Sequence, residues 1–233
     1  MKITLIGTGN VGTNLAAAFR ETGHEVIWLR GRDFRTEEIS GDVVVVSVRD
    51  EALPSVADRL RGVGTLVVHT AGSVPQEVLE CPRRGVFYPM QTFTKERIVR
   101  FTDIPVFIES ATDLPLLEQL ARSISSRVFA LDSEGRKHLH LAAVFACNFA
   151  NHCYALSETL LREHGIPFEV MLPLIDETAE KVHALSPRKA QTGPAVRQDV
   201  SVLERQEAML TGRLREIYRL MSESIHELNV NHT

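Results

Sequence analysis

The feature that most constrains this chain is Gly7-Thr8-Gly9-Asn10-Val11-Gly12, which follows the apolar run Ile3 to Ile6 and leads into Val11, Leu15 and Phe19 at four-residue spacing. A short apolar run reads as a strand, and the spacing after it lays one apolar stripe along a helix. Glycines at the first, third and sixth positions of the joining turn meet three steric needs. The first permits the tight turn, the second lets a ligand approach the backbone, and the third lets helix pack closely on strand. The amides that open the helix lack intrahelical partners and carry the positive end of its dipole, which favours phosphate. Gly7, Thr8, Gly9, Asn10, Val11 and Gly12 are therefore expected to hold the pyrophosphate of a dinucleotide. Gly23 stands where the helix needs a C-terminal cap.

Further runs rich in Val and Ile follow at Val26 to Leu29, Val43 to Val48, Thr65 to His69, Gly85 to Phe87 and Ile104 to Ile108, with a last one at Val128 to Leu131. They read as strands buried on both faces and alternate with helical patterns, which predicts an α/β fold with a doubly wound parallel sheet. After about Ser133 the strand signals stop. One long helical pattern covers Arg136 to Glu163, Gly165-Ile166-Pro167 breaks it, and a second runs to about Ala184. A loop over 186–198 precedes two final helices, the first with Ser201 and Glu204 at capping-box spacing. The expected organisation is a dinucleotide-binding domain at 1–132 followed by an all-helical domain at 133–233.

Ligands of open parallel sheets sit beyond the C-terminal strand ends. The second strand ends on Arg30-Gly31-Arg32, where an acidic residue would grip the ribose hydroxyls of NAD. Guanidinium groups suit a 2′-phosphate, so Arg30 and Arg32 predict NADP(H) ahead of NAD(H), while Asp33 keeps NAD open. Ser47 and Val48, with Thr70, Ala71 and Gly72, should line the same cofactor site. Ser73 also has capping-box spacing to Gln76, a structural role that competes with ligand binding.

The chain resembles a family of Rossmann-like NADP oxidoreductases related to deazaflavin-dependent NADP reductases, pyrroline-5-carboxylate reductases and ketopantoate reductases. The resemblance is carried by GTGNVG at 7–12, HTAGS at 69–73, FYPMQTFT at 87–94, AAVFACNFANH at 142–152 and TGPAVRQD at 192–199. It implies a homodimer formed through the helical domain and a substrate bound between the two kinds of domain. In the related hydroxyacid dehydrogenases a lysine precedes an asparagine by four residues on the first helix of that domain. Here Val144 holds the position before Asn148 and Lys137 lies three turns back, so no lysine role carries over.

Hydride transfer leaves the protein one proton to manage. Asn148 and His152, four apart on one helix face, are candidates to hold a substrate carbonyl and to move that proton, with a buried structural role as the alternative. His69 is a second proton-transfer candidate, with core hydrogen bonding as its rival role; His138 and His140 read as solvent-facing. Tyr88, Gln91 and Thr92 offer hydrogen bonds to a substrate, with a hinge as the rival role for their loop, and Lys189 and Arg197 suit an anionic substrate, with helix caps and surface charge as their alternative.

A net charge of −4 without a basic stripe argues against nucleic acid. No apolar run reaches the roughly 20 residues that span a bilayer. Cys81, Cys147 and Cys153 have neither disulfide nor metal spacing, and the helical pair reads as buried packing. The expectation is a cytoplasmic NAD(P)-dependent oxidoreductase that uses no metal and reduces or oxidises a small carbonyl, imine or deazaflavin. A non-catalytic NADP(H)-binding sensor or regulatory protein is the alternative.

Overall fold

In the computed structural model, which describes residues 1–230, the chain divides into two compact units, Met1–Asn148 and the residues from Phe149 onward. The first is an α/β unit around a seven-stranded sheet ordered β2-β1-β3-β4-β5-β6-β7. Its strands are β1 Lys2–Ile6, β2 Glu25–Leu29, β3 Val43–Val46, β4 Leu66–His69, β5 Arg84–Pro89, β6 Val106–Glu109 and β7 Val128–Ala130. Each coincides with one of the apolar runs, but the two edge strands are not buried on both faces: β2 is half-buried and Phe129 of β7 is exposed.

The valines of β3 show why the sheet must be covered twice. Val43 and Val45 enter a core with Leu15 and Phe19 of α1 (Asn10–Glu21) and with Leu117 and Leu120 of α3 (Leu114–Ile124). Val44 and Val46 point the other way, into a core with Leu53, Val56, Ala57 and Leu60 of α2 (Leu53–Leu60). Period-two side chains on one strand thus need helices on both faces. Burying a Leu60 side chain contributes about 2 kcal/mol.

The sheet is not wholly parallel. β1 to β5 run together, whereas β6 runs antiparallel to β5 with Phe87 opposite Ile108, and β7 is parallel to β6. A parallel neighbour needs a crossover, usually helical, and the chain at 90–105 forms no helix, so β6 returns alongside β5 in the opposite sense. That connection is pinned to α1 by the fully buried Asn14, which donates to the Thr94 carbonyl at 3.0 Å and accepts from Val99 N–H at 2.9 Å. Stacked Phe93 and Phe101 fill its interior.

α1 closes as expected: Gly23 has φ +81°, and the amides of Gly23 and His24 bond back to the Arg20 and Phe19 carbonyls in a Schellman arrangement. α4 (Ser133–Ala143) belongs to the first unit and is capped by Asp132, whose side chain accepts from Gly135 N–H. A π-helical segment, Val144–Phe149, follows it and leads into α5 (Ala150–Arg162). The second unit continues through α6 (Leu172–Ala184), two one-turn helices α7 (Pro187–Ala190) and α8 (Pro194–Arg197) inside the expected loop, α9 (Val200–Ala208) and α10 (Gly212–Val230). The capping boxes expected at Ser201 and Ser73 do not form: Asp199 holds the N-cap position of α9, and the Ser73 hydroxyl donates to Asp50 instead. The buried cysteine is Cys81, whose thiol donates to the Leu60 carbonyl; Cys147 and Cys153 are only half-buried.

Candidate active site

The C-terminal ends of β1, β3, β4 and β5 open onto one cleft of about 1260 Å³, lined entirely by residues of the first unit. Ordinary small-molecule sites run from roughly 300 to 1,000 Å³, so an extended ligand fits here. Its floor is the glycine turn. Gly7 takes φ +120°, donates its N–H to the Leu29 carbonyl at 2.9 Å and accepts from Trp28 Nε1 at 2.8 Å. A Cβ on Gly7 would overlap the Ser47 carbonyl, and one on Gly12 would overlap the Gly7 carbonyl. A Cβ on Gly9 would meet nothing within 4 Å. The first and last glycines therefore close the turn, and the middle one leaves free space beside the start of α1. No side chain caps that helix, and no acidic residue sits in its first turn, so its amides and positive dipole end face the cleft unopposed.

Thr8, Asn10 and Val11 line the cleft beside Gly9, while Gly12 is buried beneath it. Ser47, Val48, Thr70, Ala71 and Gly72, at the ends of β3 and β4, line it as well. Arg30 and Arg32 border one end. They are joined there by Arg49 and Arg59. Arg59 lies within α2, away from any strand end, whereas Arg49 directly follows the expected third strand and was within reach of the strand-end argument. Among the substrate candidates, Tyr88 and Gln91 line the cleft and Thr92 does not; its N–H is tied to the Gln91 side chain at 2.8 Å.

His69 lies underneath. It is fully buried and does not line the cleft, and its Nδ1 accepts from Ala71 N–H at 3.2 Å. Burial, reinforced by the Arg136 charge, pushes it down to about 3; the Pro75 carbonyl pulls upward, but Nε2 has no partner within hydrogen-bonding geometry. A neutral ring sealed from the cleft supports the 69–72 segment and has no access to a substrate proton. Asn148 ends the first unit, exposed in the π-helical segment, where hydrogen bonding from i to i+5 alters the four-residue facing assumed for it and His152. His152, Lys189 and Arg197 are exposed residues of the second unit.

His140 is the residue that sequence reasoning missed. His138 is exposed as expected, but His140 is half-buried, lines the cleft and places Nδ1 2.9 Å from the Tyr88 hydroxyl, with the rings edge to face at 5.9 Å. A Cβ on Gly72 would collide with its imidazole, so Gly72 is where backbone makes room for the ring. One turn earlier on α4, Arg136 is 1% exposed, donating to Glu109 Oε2 and to the Val74 carbonyl, both at 2.5 Å. Ser133 and Gln76 donate to the same carboxylate. Burial raises the Tyr88 phenol above its ordinary value, partly opposed by the Arg136 charge, and keeps it protonated at neutral pH.

Residues 104–225, more than half of the chain, match a family described as a domain of unknown function, DUF2520. The chain belongs to the DUF2520 family. A solved structure of a "putative NADP oxidoreductase" from Bacteroides fragilis shares 42% identity over 97% of this chain and 98% of its own, with a TM-score of 0.89. A Thermotoga maritima protein is 21% identical, with a TM-score of 0.73 over 98% of each chain. A Myxococcus stipitatus imine reductase in complex with NADP+ is 16% identical, covering 99% of this chain and 93% of its own at a TM-score of 0.59. The last two share the fold. No curated protein matches the sequence. Among the described residues of this DUF2520 chain, no helix is long and apolar enough to cross a membrane, and no cluster of His, Cys, Asp and Glu could hold a metal ion.

Proposed function

We propose that this chain is an NADPH-dependent oxidoreductase that transfers a hydride between the coenzyme and a small carbonyl or imine. The observation that carries the reading is the free space at Gly9, set against the uncapped start of α1 and flanked by glycines whose Cβ positions are blocked. That is the shape a pyrophosphate needs, and the residues present fit it. Residues 7–12 would hold the pyrophosphate, and Arg30 and Arg32 the 2′-phosphate. The coenzyme, when bound, supplies the hydride. The similarity to the Bacteroides fragilis "putative NADP oxidoreductase" and to an imine reductase in complex with NADP+ supports the same reading.

The remaining chemistry falls to Tyr88 and His140. Hydride addition to a carbonyl builds negative charge on oxygen, and a phenol kept neutral by burial is a competent donor to that oxygen. His140, hydrogen-bonded to the phenol oxygen through Nδ1, returns a proton to it while Nε2 takes one up from solvent, so the ring is left neutral. Gln91 and Pro89 line the same cleft as Tyr88 and His140. On the sequence alone, Lys189 and Arg197 are assigned to an anionic substrate group, Asn148 to a substrate carbonyl and His152 to proton transfer. Homodimerisation also rests on the sequence, and the exposure of Leu174, Leu220, Met221 and Leu228 in the second unit favours it.

Calorimetric titration with NADPH tests the cleft, and NADPH oxidation at 340 nm against 2-oxo acids, cyclic imines and a deazaflavin tests the chemistry. Binding of NADPH with turnover of a carbonyl or imine is expected. No heat with either NADPH or NADH would reject the function.

A further inference from the structure

The turn that carries Arg30 and Arg32 is held by a residue outside it. Arg59, in the last turn of α2, lays its guanidinium 3.7 Å from the centroid of the buried Phe34 ring. From there Nη1 donates to the carbonyls of Gly31 at 3.4 Å and Arg32 at 3.3 Å, and Nη2 donates to that of Phe34. On the opposite side Gly31 rests against Val48, where a Cβ would come within 2.8 Å of Cγ1. The backbone is thus drawn onto α2 by its carbonyls and stopped by Val48, two residues beyond the end of β3. Arg30, Arg32, Arg49 and Arg59 border this end of the cleft together with Asp33 and Asp50, and Asp50 accepts a hydrogen bond from Ser73.

We infer that Arg59 is a positioning residue for coenzyme choice: by clamping the 31–34 backbone it presents Arg30 and Arg32 to the 2′-phosphate of NADP(H) and so sets the preference over NAD(H). The inference rests on the reading of this cleft as a dinucleotide site. It requires the planar fork of arginine and not charge alone, because an ammonium group cannot reach the carbonyls of residues 31, 32 and 34 together while stacked on Phe34.

The test is calorimetric titration of the full chain with NADPH and with NADH, in wild type, Arg59→Gln and Arg59→Lys, with thermal melts of each. Both variants are expected to weaken NADPH by about tenfold or more, the loss expected when charge-assisted contacts are misplaced, and NADH by less than about threefold. A purely structural role would weaken both coenzymes alike and overturn the inference. An Arg59→Lys variant that binds NADPH as wild type does would overturn it too, by showing that charge suffices. Wild type that prefers NADH would refute the inference while sparing the dinucleotide cleft; wild type that binds neither would reject the cleft itself.

Discussion

The glycine turn makes a prediction in which stability and ligand affinity separate. Gly7→Ala forces a side chain into φ +120° and onto the Ser47 carbonyl. The backbone strain costs about 1 to 3 kcal/mol and the overlap a similar amount, together about 4 kcal/mol. At about 2 to 4 °C per kcal/mol for a chain of this size, the thermal midpoint should fall by about 8 to 16 °C. Gly12→Ala meets the Gly7 carbonyl at ordinary helical φ, so only the overlap applies, and part of it is offset by the better helix propensity of alanine. A loss of about 1 to 2 kcal/mol is expected there. Gly9→Ala touches nothing, and alanine at an N-cap costs at most about 1 kcal/mol, so its midpoint should stay within about 4 °C of wild type. Yet its methyl projects into the space assigned to pyrophosphate, and NADPH affinity should fall by about tenfold or more. Melts of the ligand-free variants by circular dichroism, followed by NADPH titration of Gly9→Ala, check both arms. A Gly9→Ala protein that melts as low as Gly7→Ala, or that binds NADPH like wild type, would refute the division of labour among the three glycines.

The buried His69 makes stability depend on pH. Because its folded value is depressed to about 3 from an ordinary 6.5, the unfolded chain gains a proton below pH 6.5 that the native chain cannot hold, so this contribution is complete above pH 6.5 and falls by up to about 1.4 kcal/mol per pH unit between 6.5 and 3. Melts of wild type and His69→Asn from pH 7.5 to 4.5 should diverge in slope, and parallel curves would contradict the assignment. Arg136→Met leaves the Glu109 carboxylate, whose side chain is 12% exposed, without its cation, and should cost about 3 kcal/mol of stability, read in a urea titration. Tyr88→Phe should lower turnover by about 10²-fold or more while NADPH affinity moves by less than about twofold, and retained turnover would remove the phenol from the chemistry.

Strand positions and the glycine turn were legible because both are imposed by local sterics and apolarity. Five of the expected strands carry Val or Ile at their centres, and the turn needs glycine wherever a Cβ would overlap backbone. The direction of β6 was not legible, because apolarity is the same in either sense and the deciding fact is the absence of a helix at 90–105. The π-helical segment also left no mark, since Val144-Phe145-Ala146-Cys147-Asn148-Phe149 suits an α-helix equally well. His140 was misplaced for a specific reason. His138 and His140 lie about 200° apart on a helix, so only one of them can face the sheet, and the phase is set by Arg136, a charged residue that ordinarily marks the solvent side.

That inversion gives the buried ion pair a purpose beyond stability. A hydrophobic residue at position 136 could bury the same face of α4, but it could slide, whereas Arg136 is held at once by Glu109 on β6, the Val74 carbonyl and Ser133 on its own helix. The two contacts that leave the helix, to Glu109 and to the Val74 carbonyl, fix both its rotation and its height. One turn further on, His140 must meet Tyr88 at the end of β5 within hydrogen-bonding distance, and Gly72 must yield the space for its ring. Glu109 and Tyr88 sit on paired strands, in the antiparallel register that sets Phe107 opposite Tyr88. The reversal of β6 therefore places the carboxylate that anchors α4 on the strand beside the phenol that His140 must reach, which ties the least predictable part of the sheet to the proposed proton path.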